Sequence, residues 1–466
     1  MIVCINKSAF CHRTLLWLFS FALQTLSMGC AMSSTTAVEP PHKLDNFLKN
    51  PYKVFGFLFF AIAIAGFIYS GPAEIARGLW IIITSQDILV TDYIEIAGMG
   101  ATLVNVGLAG LMSIGVLIAA KHEPDGATLV VLWLASGFAF FGKNIANMTP
   151  IILGGFLFAK FKNTPLKETI SPVLLGTSLS PAVTQTVFIE GINPVLGVTL
   201  GIFAGIMIGF IIAPISRFLR ASHEGYNLYG VGFAAGIVGF FIMAVYYNLG
   251  IGFETLNIWS YGNNVFVSVF LGLVSVYLII IGLLTKLSIG QWWKLREILH
   301  MRAADVDFFE KYREKAYISM GINGIVATIF VIAIGGQLSG PAIGGIFTII
   351  GFSAYGKRLL DIAPVVLGTI LAGLLNTISF GTPLGDNLIV LTMLFSTCLA
   401  PLTRDFGWKW GILAGFLHLN LATNLSIMHG GMNLYNNGLA GGFVVMVLLP
   451  VIRAVGDQKK DKTLGD

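Results

Sequence analysis

The feature that most constrains this chain is the succession of apolar runs that fills it. Runs bounded by Gly, Pro, Asn or charge fall near 54–72, 97–120, 126–142, 146–160, 170–188, 193–215, 229–249 and 263–285. They resume near 316–336, 340–353, 360–378, 386–402, 408–426 and 436–453. A bilayer core about 30 Å thick takes about 20 apolar residues of helix, and at that depth every backbone polar group must bond within its own segment. Only 11% of the residues are charged, against about a quarter in soluble domains. One water-soluble core cannot absorb so many apolar runs. The expected fold is all-α, a polytopic transmembrane bundle of about 12–14 spans or re-entrant segments.

The same reading removes several function classes. The net charge of +5 is spread over short loops, which is not the footprint of a nucleic-acid binder. Cys4, Cys11, Cys30 and Cys398 have no paired spacing, so no disulfide framework or zinc site is expected. No HExxH, GxSxG, HRD or DFG signature is present. Accordingly no catalytic residue, metal ligand or cofactor is assigned, and the expected partners are the lipid bilayer and a small solute or ion. A homo-oligomer is compatible with this reading.

Charge also sets an expected orientation. With the Lys-bearing tail inside and sides alternating at every run, Lys121, Lys160, Lys162, Arg217, Arg220, Lys357, Arg358, Arg404 and Lys409 fall inside. Outside fall Arg77, Lys143 and acidic residues such as Asp87, Asp92 and Glu190. Fourteen crossings then satisfy the positive-inside rule, with both termini cytoplasmic in a bacterial plasma membrane. The charge-rich segment 286–315 reads as a cytoplasmic amphipathic helix or a solvated connector. At the N-terminus, Lys7 and Arg13 precede an apolar run ending at Cys30, which looks signal-like. The alternative is translation from Met32, with the first 31 residues an artefact. The expected divisions are a tail 1–53, a first span and outer loop 54–96, a first repeat 97–262, a linking span and linker 263–315, a second repeat 316–455 and a tail 456–466.

The repeat rests on matched residues. Gly137, Phe138, Gly142, Lys143, Pro150, Leu153 and Gly154 recur 214 positions later as Gly351, Phe352, Gly356, Lys357, Pro364, Leu367 and Gly368. Leu179-Ser180-Pro181 resembles Leu399-Ala400-Pro401, with Thr184 and Thr403 following. Gly201-Ile202-Phe203-Ala204-Gly205 resembles Gly411-Ile412-Leu413-Ala414-Gly415. The most specific pair is His223-x-Gly225-x-Asn227-Leu228-Tyr229 against His429-x-Gly431-x-Asn433-Leu434-Tyr435. Corresponding runs lie seven apart, an odd number, so the repeats are expected to have inverted topology, as in many secondary transporters.

Candidate site residues follow from where polar groups interrupt the apolar runs. The two HxGxNLY motifs supply His223, Asn227, Tyr229, His429, Asn433 and Tyr435 at glycine breaks; they either line a shared cavity or cap helices. Ser178, Ser180 and Thr184 flank Pro181, and Thr397 and Thr403 flank Pro401, in two interrupted segments that mark a transport site or a simple kink. His418, with Asn420 and Asn424, forms a polar face that binds solute or glues helices. Gly142-Lys143 and Gly356-Lys357 come close to a phosphate-cradling loop, but Asn144 and Arg358 stand where that loop needs Ser or Thr. They read instead as helix ends with snorkelling lysines, or as a charged site at a broken helix. Four residues past each lysine stand Asn147 and Asp361, the latter a carboxylate able to hold a cation or proton.

With these motifs the chain resembles an uncharacterised family of bacterial polytopic membrane proteins, a domain of unknown function, over about residues 45–455. That family implies no substrate. The Gly225-Tyr226-Asn227 piece is similar to a segment of urea transporters, which are also inverted repeats, although the second copy reads Gly431-Met432-Asn433. The expected function is a transporter or channel for a small polar solute or ion, with its site at the interface of the repeats. The alternatives are a membrane-embedded enzyme acting on a lipid-linked substrate and a non-transporting scaffold.

Overall fold

The computed structural model describes residues 46–87, 90–252, 257–286, 307–429 and 436–464. The N-terminal run, most of the 286–315 linker, Asn433 and Tyr435 lie outside them. The chain separates into two units, and the second, Asn50–Asp466, holds all of the helices that bear on the site.

Its first part runs α1 (Pro51–Ser70), α2 (Pro72–Thr84), α3 (Tyr93–Ala97), α4 (Met99–Ala119), α5 (Gly126–Phe138), α6 (Ile145–Lys162), α7 (Ile170–Gly176), α8 (Ser180–Val187), α9 (Pro194–His223) and α10 (Gly230–Asn248). The second runs α11 (Asn264–Lys286), α12 (Phe308–Ala333), α13 (Gly340–Phe352), α14 (Leu359–Phe380), α15 (Asn387–Ser396), α16 (Ala400–Phe406), α17 (Trp408–Asn424) and α18 (Asn436–Leu464). Nine stretches among the described residues are long and apolar enough to cross a membrane. The chain is an all-α, multi-pass membrane protein.

Local sequence starts these helices where they start. Asn50 and Asn193 each cap a helix opened by proline, and Asp125 with Thr128, like Asn144 with Asn147, forms a reciprocal capping box. Five of the fourteen expected crossings, the runs near 126–142, 146–160, 170–188, 340–353 and 408–426, have no counterpart among the nine long apolar stretches. Helices α5 and α13 have 13 residues each, roughly 20 Å at 1.5 Å per residue; α13 is buried along its whole length and α5 everywhere but Ala127. The runs at 170–188 and 386–402 are broken by single 3-10 turns, Thr177–Leu179 and Thr397–Leu399, each followed by proline in the next helix.

Glycine decides how the helices pack. A Cβ at Gly154 would run into the Ile206 carbonyl oxygen, and one at Gly209 into that of Ile151, so α6 and α9 touch backbone to backbone. Gly368 against Ile412 and Gly415 against Val365 repeat this between α14 and α17. These contacts correct the expected pairing: Gly205 corresponds to Gly411 and Gly209 to Gly415, four residues from the sequence match. Gly201, Gly205 and Gly209 recur every four residues, so the motif overlays itself after one helical turn.

Across the middle, α5 and α13 run antiparallel through contacts that exchange with each other. A Cβ at Gly137 would lie 3.4 Å from Gly344 Cα and 2.9 Å from Phe347 Cβ. A Cβ at Gly351 would lie 3.4 Å from Val130 Cα and 2.8 Å from Trp133 Cβ. At the offset of 214 these are the same contact made twice. Gly236 against Leu439 and Gly442 against Phe233 do likewise for α10 and α18.

The polar anchors are also reciprocal. Asp92 caps α3 through Ile94 N and accepts from Gly340 N (2.8 Å) at the start of α13. Asp307 caps α12 through Glu310 N and accepts from Gly126 N (2.6 Å) at the start of α5. Asp92 and Asp87, expected in an outer loop, are fully buried. Four donors hold the Asp92 carboxylate, including Ser260 N and Oγ, which offset the cost of burying it.

Candidate functional site

The site is built on the turn between α9 and α10. α9 ends at His223, and Glu224 and Gly225 take left-handed backbone angles, φ 48° and 83°. The chain then reverses onto Asn227, whose Oδ1 accepts from Tyr229 N (3.0 Å). Leu228 N donates to Cys398 O (3.1 Å), which ties the turn to the 3-10 break between α15 and α16. Tyr229 is thereby placed between Phe352 and Phe395, with ring centroids 4.6 and 6.0 Å away.

Its hydroxyl meets a buried lysine. Lys357 Nζ donates to Tyr229 Oη (3.0 Å) and to Thr397 Oγ1 (2.8 Å), and lies over the Tyr229 and Phe352 rings. Thr397 in turn donates to Leu394 O, and Asn323 Nδ2 donates to Lys357 O (2.9 Å). Lys357 is 2% exposed and Lys143 1%, so neither snorkels. Lys143 repeats half of the arrangement: Asn105 Nδ2 donates to its carbonyl (2.9 Å), while its Nζ lies over Phe138. Thr177, 220 positions before Thr397, donates to Leu174 O.

Beside Tyr229 opens a cavity of about 360 Å³. Both parts of the chain line it: Val130, Arg217, Arg220 and His223 from the first, Phe352 and Tyr355 from the second. Asn227 is at its wall too.

The other expected residues fall in different places. Asn147 and Thr184 meet directly, Nδ2 to Oγ1 at 3.0 Å. Nearby, Tyr93 donates to Asp87 Oδ2 (2.9 Å) and Gln185 Nε2 to Asp87 O (2.6 Å). Ser180 donates back to Thr177 O and so closes the 3-10 turn. Thr403 is packed against Gly411. His429 bridges Asn436 and Gly236 O, and His418 Nε2 meets Asn437 O (3.1 Å), so both histidines fasten α18 to its neighbours. Asn420 and Asn424 bond to carbonyls of their own helix, which removes the expected polar face. Asp361 is not an open cation ligand, because Arg358 grips both its oxygens at 2.6 Å. Of the sequence candidates, the structure brings His223, Asn227 and Tyr229 to the cavity.

Sequence reasoning weighed Thr397 only as a hydroxyl beside Pro401, and did not weigh Asn323, Arg217 or Arg220 as site residues. Thr397 carried a signal, since Thr177 precedes the other proline break by the same spacing. Lys143 and Lys357 were visible as a matched pair, but their complete burial was not. Among the described residues no group of three His, Cys, Asp or Glu is placed to hold a metal.

The chain belongs to a family of proteins of unknown function, DUF1576, whose model matches residues 71–248 and 291–454. The two matched segments follow the two parts of the fold and leave α11 between them. No curated protein and no solved structure matches the chain.

Proposed function

We propose that this member of the family is a membrane transporter or channel for a small polar solute or ion. It works at the interface of two halves of inverted topology, in a cell membrane with both termini cytoplasmic. The observation that carries the reading is the cavity walled by both parts of the chain, with the buried Lys357 ammonium behind its Tyr229 wall. Scaffold packing alone gains nothing from a buried charge that an apolar side chain could replace. The exchanging contacts of α5 with α13, and of α10 with α18, support the inversion. The 3-10 breaks in two matched segments give the interrupted helices that such sites use.

Flux through reconstituted vesicles tests the reading. A panel of small ions and polar metabolites is applied to liposomes holding the full-length protein, with solid-supported-membrane currents or tracer uptake as readout. At least one solute should move with the wild type and about tenfold more slowly with Lys357→Met, whose folding is checked by size exclusion. If no solute moves, or if Lys357→Met carries it as well as wild type, the transport reading is wrong at this site.

A further inference from the structure

The unused polar capacity around the cavity is almost all of one kind. Arg217 and Arg220 line it, are exposed, and make no ion pair or side-chain hydrogen bond among the described residues. Among the described residues the one carboxylate in its lining is Glu168, itself exposed. Deeper, His223 is 2% exposed and its Nδ1 accepts from Gly225 N (3.3 Å). That bond puts the ring hydrogen of the neutral form on Nε2, and Nε2 has no partner among the described residues. A buried donor without an acceptor is costly unless something else supplies one. Behind the wall, Lys357 has hydroxyls and aromatic rings for partners and, among the described residues, no carboxylate. Two arginines and one histidine therefore line a space whose lining, among the described residues, holds a single acid, with Lys357 behind its Tyr229 wall.

We propose that this cavity binds a small oxyanion, a carboxylate- or phosphate-bearing solute, with Arg217 and Arg220 receiving it and His223 Nε2 donating to it. The inference rests on the transport reading for its place in a permeation path, but the binding itself does not. Guanidinium groups suit oxyanions because their planar forks match two oxygens at once. Lys357 stands behind the cavity wall, where it donates to the Tyr229 phenol oxygen. A volume near 360 Å³ is at the small end for ligand cavities, which favours a compact solute.

An oxyanion near two arginines at a helix end has two sources, a free solute or a lipid headgroup phosphate. The test separates them. Full-length protein in nanodiscs of zwitterionic lipid is heated with sodium phosphate or sodium succinate, with sodium chloride holding ionic strength constant. Ammonium chloride and glucose serve as cationic and neutral controls. The expected result is a dose-dependent rise in unfolding temperature with phosphate or succinate, absent with the controls. Arg217→Gln/Arg220→Gln, both on the exposed side of α9, should weaken the apparent affinity about tenfold while leaving the ligand-free unfolding temperature unchanged. His223→Gln keeps a donor near Nε2 and should weaken it less than His223→Leu. Stabilisation by ammonium or glucose instead, or by the oxyanions equally in the double variant, overturns the proposal. So does stabilisation seen only when phosphatidylglycerol is added to the nanodisc, because the oxyanion is then a headgroup. Oxyanion binding without any flux would leave this site standing and remove the transport reading alone.

Discussion

The two parts of the molecule agree where backbone touches backbone and disagree where side chains carry charge. Gly154 and Gly209 let α6 and α9 meet at carbonyl oxygens, and Gly368 and Gly415 do the same for α14 and α17. At the start of the same two helices the chemistry diverges. Asn144 and Asn147 form a neutral capping box on α6, whereas Arg358 and Asp361 form an ion pair on α14. Lys143 faces an aromatic ring; Lys357 is bonded to two hydroxyls and stands behind the cavity. Close packing leaves no freedom at the glycines, since any side chain there displaces a neighbouring helix. The polar positions are free to specialise, and the second part's lysine is bonded to Tyr229, a residue of the cavity wall.

The largest effect should come from the shared scaffold. Gly209→Ala and Gly415→Ala each force a methyl into a carbonyl oxygen, with a cost on the order of 3 kcal/mol or more. Both should lose monodisperse protein on size exclusion, and to a similar degree. If one is tolerated, the parts are not equivalent as scaffold. Next come the polar anchors, whose burial differs between the parts. Asp92→Asn removes charge from a buried carboxylate with four donors and should cost about 2–3 kcal/mol. Asp307→Asn, at a half-buried site with two donors, should cost about 1 kcal/mol. Thermal unfolding of the two variants checks the order, and a reversal would mean that the caps do not follow burial.

The lysines separate fold from function. Lys357→Met and Lys143→Met each remove a buried charge, which in a well-packed interior is close to neutral for stability or favourable by about 1 kcal/mol. Lys357→Met should nonetheless reduce ligand affinity or flux by about tenfold, more than Lys143→Met does, as measured by binding in nanodiscs. Equal losses would argue for two working sites. The smallest effect belongs to the exposed pair Glu224–Arg453, where Arg453 grips both carboxylate oxygens. Its hydrogen bonds hold the Glu224 carboxyl below its ordinary range. A depressed folded-state value gives stability that is present above the unfolded value near 4.5 and lost as pH falls through the folded one. Glu224→Gln should therefore change stability by less than about 0.5 kcal/mol at neutral pH, with the difference vanishing in acid.

How much of this the sequence disclosed depends on the range over which each residue acts. The bundle was legible, because an apolar run declares its own surroundings. So were the helix starts at Asn50-Pro51 and Asn193-Pro194, which depend on adjacent residues. The register of α9 against α17 was misread by one turn because Gly201, Gly205 and Gly209 are interchangeable by eye. The true partners of Gly205 and Gly209, Pro150 and Ile151, lie on another helix. Asp92 looked like a loop acid, since the second helix that it caps begins 248 residues later. Counting runs to find topology was fragile for a related reason: every short helix such as α5 changes the parity, while the exchanging contacts of Gly137 and Gly351 do not depend on the count. His223, Asn227 and Tyr229 were found because the motif is doubled, and Thr397 was legible only as one of several hydroxyls beside the two prolines, because the lysine that distinguishes it lies 40 residues away.

The inversion itself is tested most directly by the sidedness of matching helix ends. Single cysteines replace Lys162 at the end of α6 and Pro383 just past the end of α14, both exposed. Cys4, Cys11 and Cys30 are changed to serine, and the buried Cys398 is left in place. Oriented membranes or intact cells are then treated with an impermeant maleimide before and after permeabilisation. Halves of opposite orientation require the two positions to label from opposite faces of the membrane, Lys162→Cys only after permeabilisation and Pro383→Cys before it. Labelling of both from the same face would contradict the account, because no inverted pair of halves can place equivalent ends together.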